Sequence, residues 1–320
     1  MFRLLVALGP LLLLAAVLAC GGSQASAPTP TVIVEARATP TPTAIPTATP
    51  TATPEPSPTP APTVEVAASF PQQGGFLLVR LLDPPPELSQ ATALFAGGSY
   101  AMLPEAGHWY ALIGLGTDFP PGDYTVEVDG SDALGSTTVT VGPGGFAEEY
   151  VDLPPETAGL LSDVAAIEEE KRLLANVYAG LTPERLWSGA WLLPAAGPIT
   201  NPFGLQRSIN GGPFSPHTGT DIAADAGAPV AASATGRVAF AGALYLRGNS
   251  VVIDHGAGVF SGYHHLQSVA VAEGQAVNAG DLIGYVGATG LVSGPHLHWE
   301  AIVGGVRVDP TLWTYGPVEP

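Results

Sequence analysis

Residues 294–300 read Gly-Pro-His-Leu-His-Trp-Glu, and the spacing of the two imidazoles states how this part of the chain lies. In an extended strand alternate side chains share a face, so His296 and His298 stand together while Leu297 turns into a core. A second even-spaced pair lies upstream in His217-Thr218-Gly219-Thr220-Asp221, an imidazole and a carboxylate four residues apart. Each segment can offer a polar pair to one shared cleft. Around them, from Leu193 onward, run β-branched stretches such as Ser250-Val251-Val252-Ile253 and Ala301-Ile302-Val303, many Gly turns, and six of the seven histidines. Residues 193–316 therefore read as an all-β domain.

Imidazole nitrogen and carboxylate oxygen are ready ligands for zinc, and catalytic zinc sites use three protein ligands with one position left open. His217, Asp221 and one of His296 and His298 supply such a set. The remaining one, with His264-His265 in Tyr263-His264-His265-Leu266, leaves imidazoles for proton transfer. His255, at an odd offset from these pairs and before Gly256, reads as a turn residue, and His264 as pointing away from the cleft. The sequence contains no H-E-x-x-H, phosphate-cradling Gly loop or G-x-S-x-G elbow. With Cys20 as its single cysteine, the chain forms no intrachain disulfide and no cysteine-cluster metal site.

The segment from Gly197 to Trp313 resembles the lysostaphin-type (LytM-like) zinc metallo-endopeptidases of peptidoglycan, over about two-fifths of the chain. The resemblance rests on Asn201-Pro202-Phe203-Gly204-Leu205-Gln206-Arg207, HTGTD at 217–221, Gly248 to Gly256, YHHL at 263–266 and the HLH of 296–298. It implies His217, Asp221 and His298 as ligands of one zinc ion, and His265 and His296 as an unligated catalytic pair. Position 264 is not usually His in that family, and the Y-x-H-L frame selects 265. The implied reaction is metal-assisted amide hydrolysis of peptidoglycan cross-links or stems. In it His296 takes a proton from water and passes it to the leaving amine while His265 stabilises the oxyanion; the two roles are exchangeable. Some relatives are held inactive by their own asparagine at the metal, for which Asn201 and Asn210 are the candidates. Arg207 either touches a substrate carboxylate or pins the entry loop. A rival reading, a non-catalytic activator of wall hydrolases, calls for lost ligands, and none is lost. Another is a wall-binding module working through the upstream strands.

Those strands occupy 70–155, where short alternating runs such as Phe76 to Leu81, His108 to Ile113 and Asp123 to Val128 are separated by Pro- and Gly-rich turns. The spacing suggests an immunoglobulin-like β-sandwich without a catalytic constellation. Between the two β regions, 156–192 reads as a helical joint. Leu160, Val164, Ile167, Leu174, Tyr178 and Leu181 form one apolar stripe with Glu168 to Glu170 off it, and Thr182-Pro183 starts a second short helix.

At the other end, 1–19 reads as a signal peptide, an apolar run after Arg3 that closes on Val17-Leu18-Ala19-Cys20. That ending resembles a lipobox, which makes Cys20 the lipidation site and the protein an extracytoplasmic, membrane-anchored lipoprotein; simple secretion is the alternative. Residues 20–69 read as a disordered linker, with 11 Pro and 10 Thr between positions 28 and 62. A net charge of −18 repels nucleic-acid phosphates and anionic membrane surfaces. The expected protein is mainly β, monomeric, and directed at peptidoglycan and not at nucleic acid.

Overall fold

Eight strands of alternating side chains open the folded part of the chain. They are β1 (Thr63–Phe70), β2 (Phe76–Leu82), β3 (Thr92–Phe95), β4 (Gly98–Ala101), β5 (Leu103–Glu105), β6 (His108–Gly114), β7 (Gly122–Asp129) and β8 (Ala133–Val141). This computed structural model describes residues 60–180 and 182–320, with Pro28, Pro30 and Thr31. The leader, Cys20 and the linker as far as 59 lie outside the described residues, apart from those three. Strand β1 begins at Thr63, inside the stretch expected as linker, so the ordered fold starts before residue 70.

The strands make two four-stranded sheets, ordered β1-β2-β6-β5 and β4-β3-β7-β8. In chain order these correspond to the A-B-E-D and C′-C-F-G sheets of an immunoglobulin-type sandwich. Leu77, Val79, Phe95, Ile113 and Val126 fill the space between them. Tyr124, near the start of β7, donates its hydroxyl to the Pro120 carbonyl at 2.7 Å, the tyrosine-corner contact of such sandwiches.

Strands β2 and β6 are buried on both faces. Their outward residues Phe76, Leu78, Tyr110 and Leu112 join the core of the C-terminal region. Phe76 stacks on Trp313 with ring centres 4.8 Å apart, and Trp191 stacks on Trp313 at 4.7 Å. This aromatic layer unites the two β regions, and Pro58–Pro320 packs as one compact unit.

After β9 (Glu148–Val151) come α1 (Pro155–Ala158), a 3₁₀ turn (Gly159–Ser162) and α2 (Val164–Tyr178). Asp163 caps α2, its carboxylate accepting from the Ala166 N–H at 3.0 Å. Leu160 thus belongs to the turn before α2. Leu174, Val177 and Tyr178 seat the helix on Leu244, Phe260 and Ile302. The stripe also carries a buried charge: Glu170 is 4 % exposed, contrary to its expected place off the apolar face. The second helix expected after Thr182 does not form. The Thr182 hydroxyl donates instead to Asp254 Oδ2 at 2.5 Å, and the following segment forms no helix or strand while its Trp187 and Trp191 are buried in the core.

The C-terminal region contributes β10 (Ile199–Asn201), β11 (Gln206–Ile209), β12 (Phe214–Pro216), β13 (Thr220–Ile222), β14 (Pro229–Ala231), β15 (Gly236–Leu244), β16 (Gly248–Gly256), β17 (Val259–Val269), β18 (Ala276–Val277), β19 (Leu282–Val286), β20 (Leu297–Val303) and β21 (Val306–Val308). A ten-stranded sheet follows the path β10-β13-β20-β17-β16-β15-β18, with β14, β19 and β21 beside it. A small sheet, β12-β11-β9, stands apart; its β9 arrives from the sandwich side and pairs parallel with β11. Alternation along β20 sends Leu297, Trp299, Ala301 and Val303 into the shared core and His298, Glu300 and Ile302 to the opposite face. Helix α2 covers part of that second face at Ile302; His298 and Glu300 lie farther along β20.

His255 lies in the core and not in a turn. Its ring is 4.7 Å from Trp191, Nδ1 lies 2.9 Å from the Thr235 carbonyl, and Nε2 lies 2.7 Å from the Ser261 hydroxyl. Burial pushes its pKa down to about 4. The folded form therefore stays neutral between about pH 6.5 and 4 while the unfolded chain takes up a proton. Stability supplied by this group above pH 6.5 is lost as pH falls toward 4, by about 3 kcal/mol. Denaturant titration at pH 7 and 4.5 checks this: His255→Gln should flatten the loss seen in the wild type, and an unchanged slope would refute it.

Candidate metal centre

Three neighbouring strands set the site. Asp221 on β13 lies directly opposite His298 on β20, and His298 lies opposite His264 on β17. His217 does not share a strand with Asp221, because it lies in the connection between β12 and β13. The donors converge tightly. His217 Nε2 is 3.0 Å from His298 Nδ1 and 3.0 Å from Asp221 Oδ1, and the last two atoms are 2.8 Å apart. Among the described residues this is the cluster whose donor atoms could hold a metal ion. Tetrahedral zinc separates its ligand atoms by about 3.3 Å, so a spread of a few tenths of an ångström would seat it.

The opposite side of each donor is engaged. His217 Nδ1 lies 3.0 Å from the Pro202 carbonyl, which holds the proton there and leaves Nε2 free. Asp221 Oδ2 accepts from Asn201 Nδ2 at 3.1 Å and from Arg207 Nη2 at 3.0 Å. Arg207 also reaches Glu149 at 3.3 Å, so it pins the entry strand to a ligand and is not a free carboxylate receptor. Asn210 lies away from the donors, its side chain bonded to both backbone groups of Leu153. Burial disfavours the charged carboxylate of Asp221, yet hydrogen bonds with His217 and His298 hold it well below the usual range. Burial likewise lowers His217, while for His298 bonds to Asp221 and Glu300 outweigh burial and raise it.

His265 reaches the same cleft through a bulge. Asn249 pairs with Leu266 and Val251 with Tyr263, so Ser250 faces both His264 and His265. His265 takes φ 61°, a left-handed conformation that costs a non-Gly residue energy. This kink places two consecutive histidines on one face, which simple alternation forbids. His264 shares the sheet face of its pairing partner His298 but, as expected, does not line the cleft. It is fully buried, with Nδ1 2.9 Å from the Ser250 hydroxyl and Nε2 3.6 Å from Glu300.

His265 Nδ1 lies 2.8 Å from the Thr289 carbonyl and His296 Nδ1 lies 2.9 Å from the Gly294 carbonyl, so both rings turn Nε2 toward the cleft. Their centres are 5.0 Å apart, and His296 Nε2 is 3.7 Å from Asp221 Oδ1. Burial and the facing rings of His298 and His296 keep His265 well below its ordinary value, hence neutral. The cleft holds about 660 Å³; Glu149 and Arg207 of the small sheet form one wall, Leu161 and Lys171 of the helical segment another.

Glu300 continues the even spacing of His296 and His298, a signal in the sequence that puts it on the same face. Fully buried beneath His298, its Oε1 lies 3.2 Å from His298 Nε2 and accepts from Thr218 Oγ1 at 2.8 Å. Such a carboxylate fixes the tautomer and orientation of a ligating histidine. Gly219 is also required here, because a Cβ would stand 2.9 Å from the His298 ring and against the Trp299 carbonyl. Gly219→Ala should cost about 1–3 kcal/mol and weaken zinc binding. Thermal melts with zinc titration check this, and wild-type values for both would refute it.

Residues 215–310 match the family model described as Peptidase family M23. The DD-carboxypeptidase/endopeptidase Mpg of Neisseria meningitidis is 45% identical over 112 residues, 35% of this chain and 26% of that protein. The peptidoglycan DD-endopeptidase ShyA of Vibrio cholerae is 46% identical over 95 residues, 30% of this chain and 22% of that protein. The chain thus spans about a quarter of the length of these curated relatives. A crystal structure of a Pseudomonas aeruginosa protein assigned to peptidase M23 matches with TM-score 0.56 and 28% identity, over 76% of this chain and 94% of that one. The family match spans both HTGTD and HLH, so the segment that carries the clustered donors is the segment similar to Peptidase family M23.

Proposed function

We propose that the chain is a zinc-dependent endopeptidase that hydrolyses peptide bonds in the cross-links or stems of peptidoglycan outside the cytoplasm. One observation carries this reading: three donors gathered at 2.8–3.0 Å stand beside two further imidazoles with Nε2 open to a cleft. A complete donor set weighs against the non-catalytic activator.

Zinc bound by His217, Asp221 and His298 would supply Lewis acidity and an acidified water near neutral pH. His296 presents Nε2 close to the ligand oxygen of Asp221, where it accepts a proton and returns it to the leaving amine. His265 borders the same space. With its Nδ1 proton held by Thr289 and the ring kept neutral by burial, its Nε2 is an acceptor like that of His296, and either ring can serve as the base. Asn201 and Arg207 hold Asp221 on its outer oxygen and keep the inner one directed at the two imidazoles. One zinc ion per chain, a lipid anchor at Cys20 and a monomeric state complete the proposal. No helix among the described residues is long and apolar enough to cross a membrane.

The test is release of soluble peptide from purified sacculi. Release that chelation stops and added zinc restores supports the proposal; release indifferent to chelation, or none from zinc-loaded protein, overturns it.

A further inference from the structure

We propose that Glu170, on helix α2 outside the matched family segment, is a positioning residue that holds His298 and His265 in register through Arg247. This rests on the reading of His217, Asp221 and His298 as a zinc site.

The side chain of Glu170 is 3 % exposed and that of Glu300 is fully buried, with Arg247 between them. Arg247 donates Nη1 to Glu170 Oε1 at 2.8 Å and Nη2 to Glu300 Oε1 at 2.7 Å. That same Glu300 oxygen faces His298 Nε2, so a continuous chain runs from the helix to the ring whose Nδ1 faces the other metal donors. A second branch starts at the same carboxylate. Glu170 Oε2 accepts from the Leu246 N–H at 2.7 Å, and the next residue, Arg247, gives its carbonyl to the His265 N–H at 2.9 Å. This bond holds the backbone of the strained bulge.

Charge explains why Glu170 is needed. Arg247 alone would sit buried beside Glu300 with one guanidinium face unpaired, and the loss of one partner from a buried charge pair is costly. With Glu170 present the guanidinium is held from both ends, and Glu300 stays an acceptor oriented on His298. Packing alone does not require a carboxylate at this point; the neighbouring Leu174 supplies the helix with apolar contact.

The experiment measures zinc affinity of the whole chain by competition with a chromophoric chelator, alongside melting of the metal-free protein. Glu170→Gln keeps the shape and removes the charge, and its zinc affinity should fall about 10- to 100-fold. Leu174→Ala, which removes packing on the same helix, should lower the melting temperature and leave zinc affinity within twofold. Wild-type affinity in Glu170→Gln overturns the inference while leaving the zinc site intact, whereas a wild type that binds no zinc overturns the site itself. If Glu170→Gln does not fold, E170Q/R247M, which removes both charges together, carries the test. A tenfold loss supports the link, and unchanged affinity refutes it.

Discussion

Asp221→Ala should abolish peptide release from sacculi, a loss of more than about 10³-fold, and should leave the protein without stoichiometric zinc. Asp221 Oδ1 is within 3.0 Å of both imidazole donors, so its removal leaves two ligands where a catalytic site needs three. Its other oxygen ties down Asn201 and Arg207, and the arginine would keep only its longer contact with Glu149. Stability falls for that reason too, which is why Asp221→Asn is the companion variant. It preserves the shape and the contact to Asn201 but not the charge. Metal content, circular dichroism and release assays on the two proteins separate loss of ligand from loss of fold. Activity within tenfold of wild type in either would contradict the ligand assignment.

His296→Ala should behave differently, losing about 10²- to 10⁴-fold in turnover while retaining zinc. Its ring is not in the donor triangle, standing 3.7 Å from Asp221 Oδ1 and partly open to the cleft. His265→Ala should lose activity by a comparable factor, also with zinc bound. Because the two rings face one another at 5.0 Å and share one reacting centre, the double variant should be less impaired than the product of the single losses. Zinc loss in His296→Ala would place that ring among the ligands. Full multiplicative loss in the double variant would mean that the rings act on separate steps.

Much of the architecture was readable because the residues involved obey alternation. Leu297 and Trp299 face the core and His298 and Glu300 the other side for the reason the HLHWE spacing suggests. The paired runs at 76–81 and 108–113 likewise announce strands, and the turn residues between them announce a sandwich. What the pattern could not carry was departure from regularity. A bulge opposite Ser250 puts His264 and His265 on one side, and no composition rule marks a left-handed histidine.

Long-range partners were similarly invisible. Glu170 looked like one of three surface acids, although it falls three residues after Ile167 and four before Leu174, on the buried stripe. Its partner Arg247 is 77 positions away. The Thr182-Pro183 signal was real helix-start chemistry, but the hydroxyl found Asp254 and two tryptophans drew the segment into the core. The boundary between the β regions blurred because β2 and β6 present apolar side chains on both faces, so one aromatic layer serves both.

Anomalous diffraction at the zinc edge, on crystals of zinc-loaded protein, tests the central claim most directly. A single peak is expected about 2.0–2.2 Å from His217 Nε2, Asp221 Oδ1 and His298 Nδ1 together. A peak on any other set of side chains, or none at full zinc occupancy in solution, would contradict it.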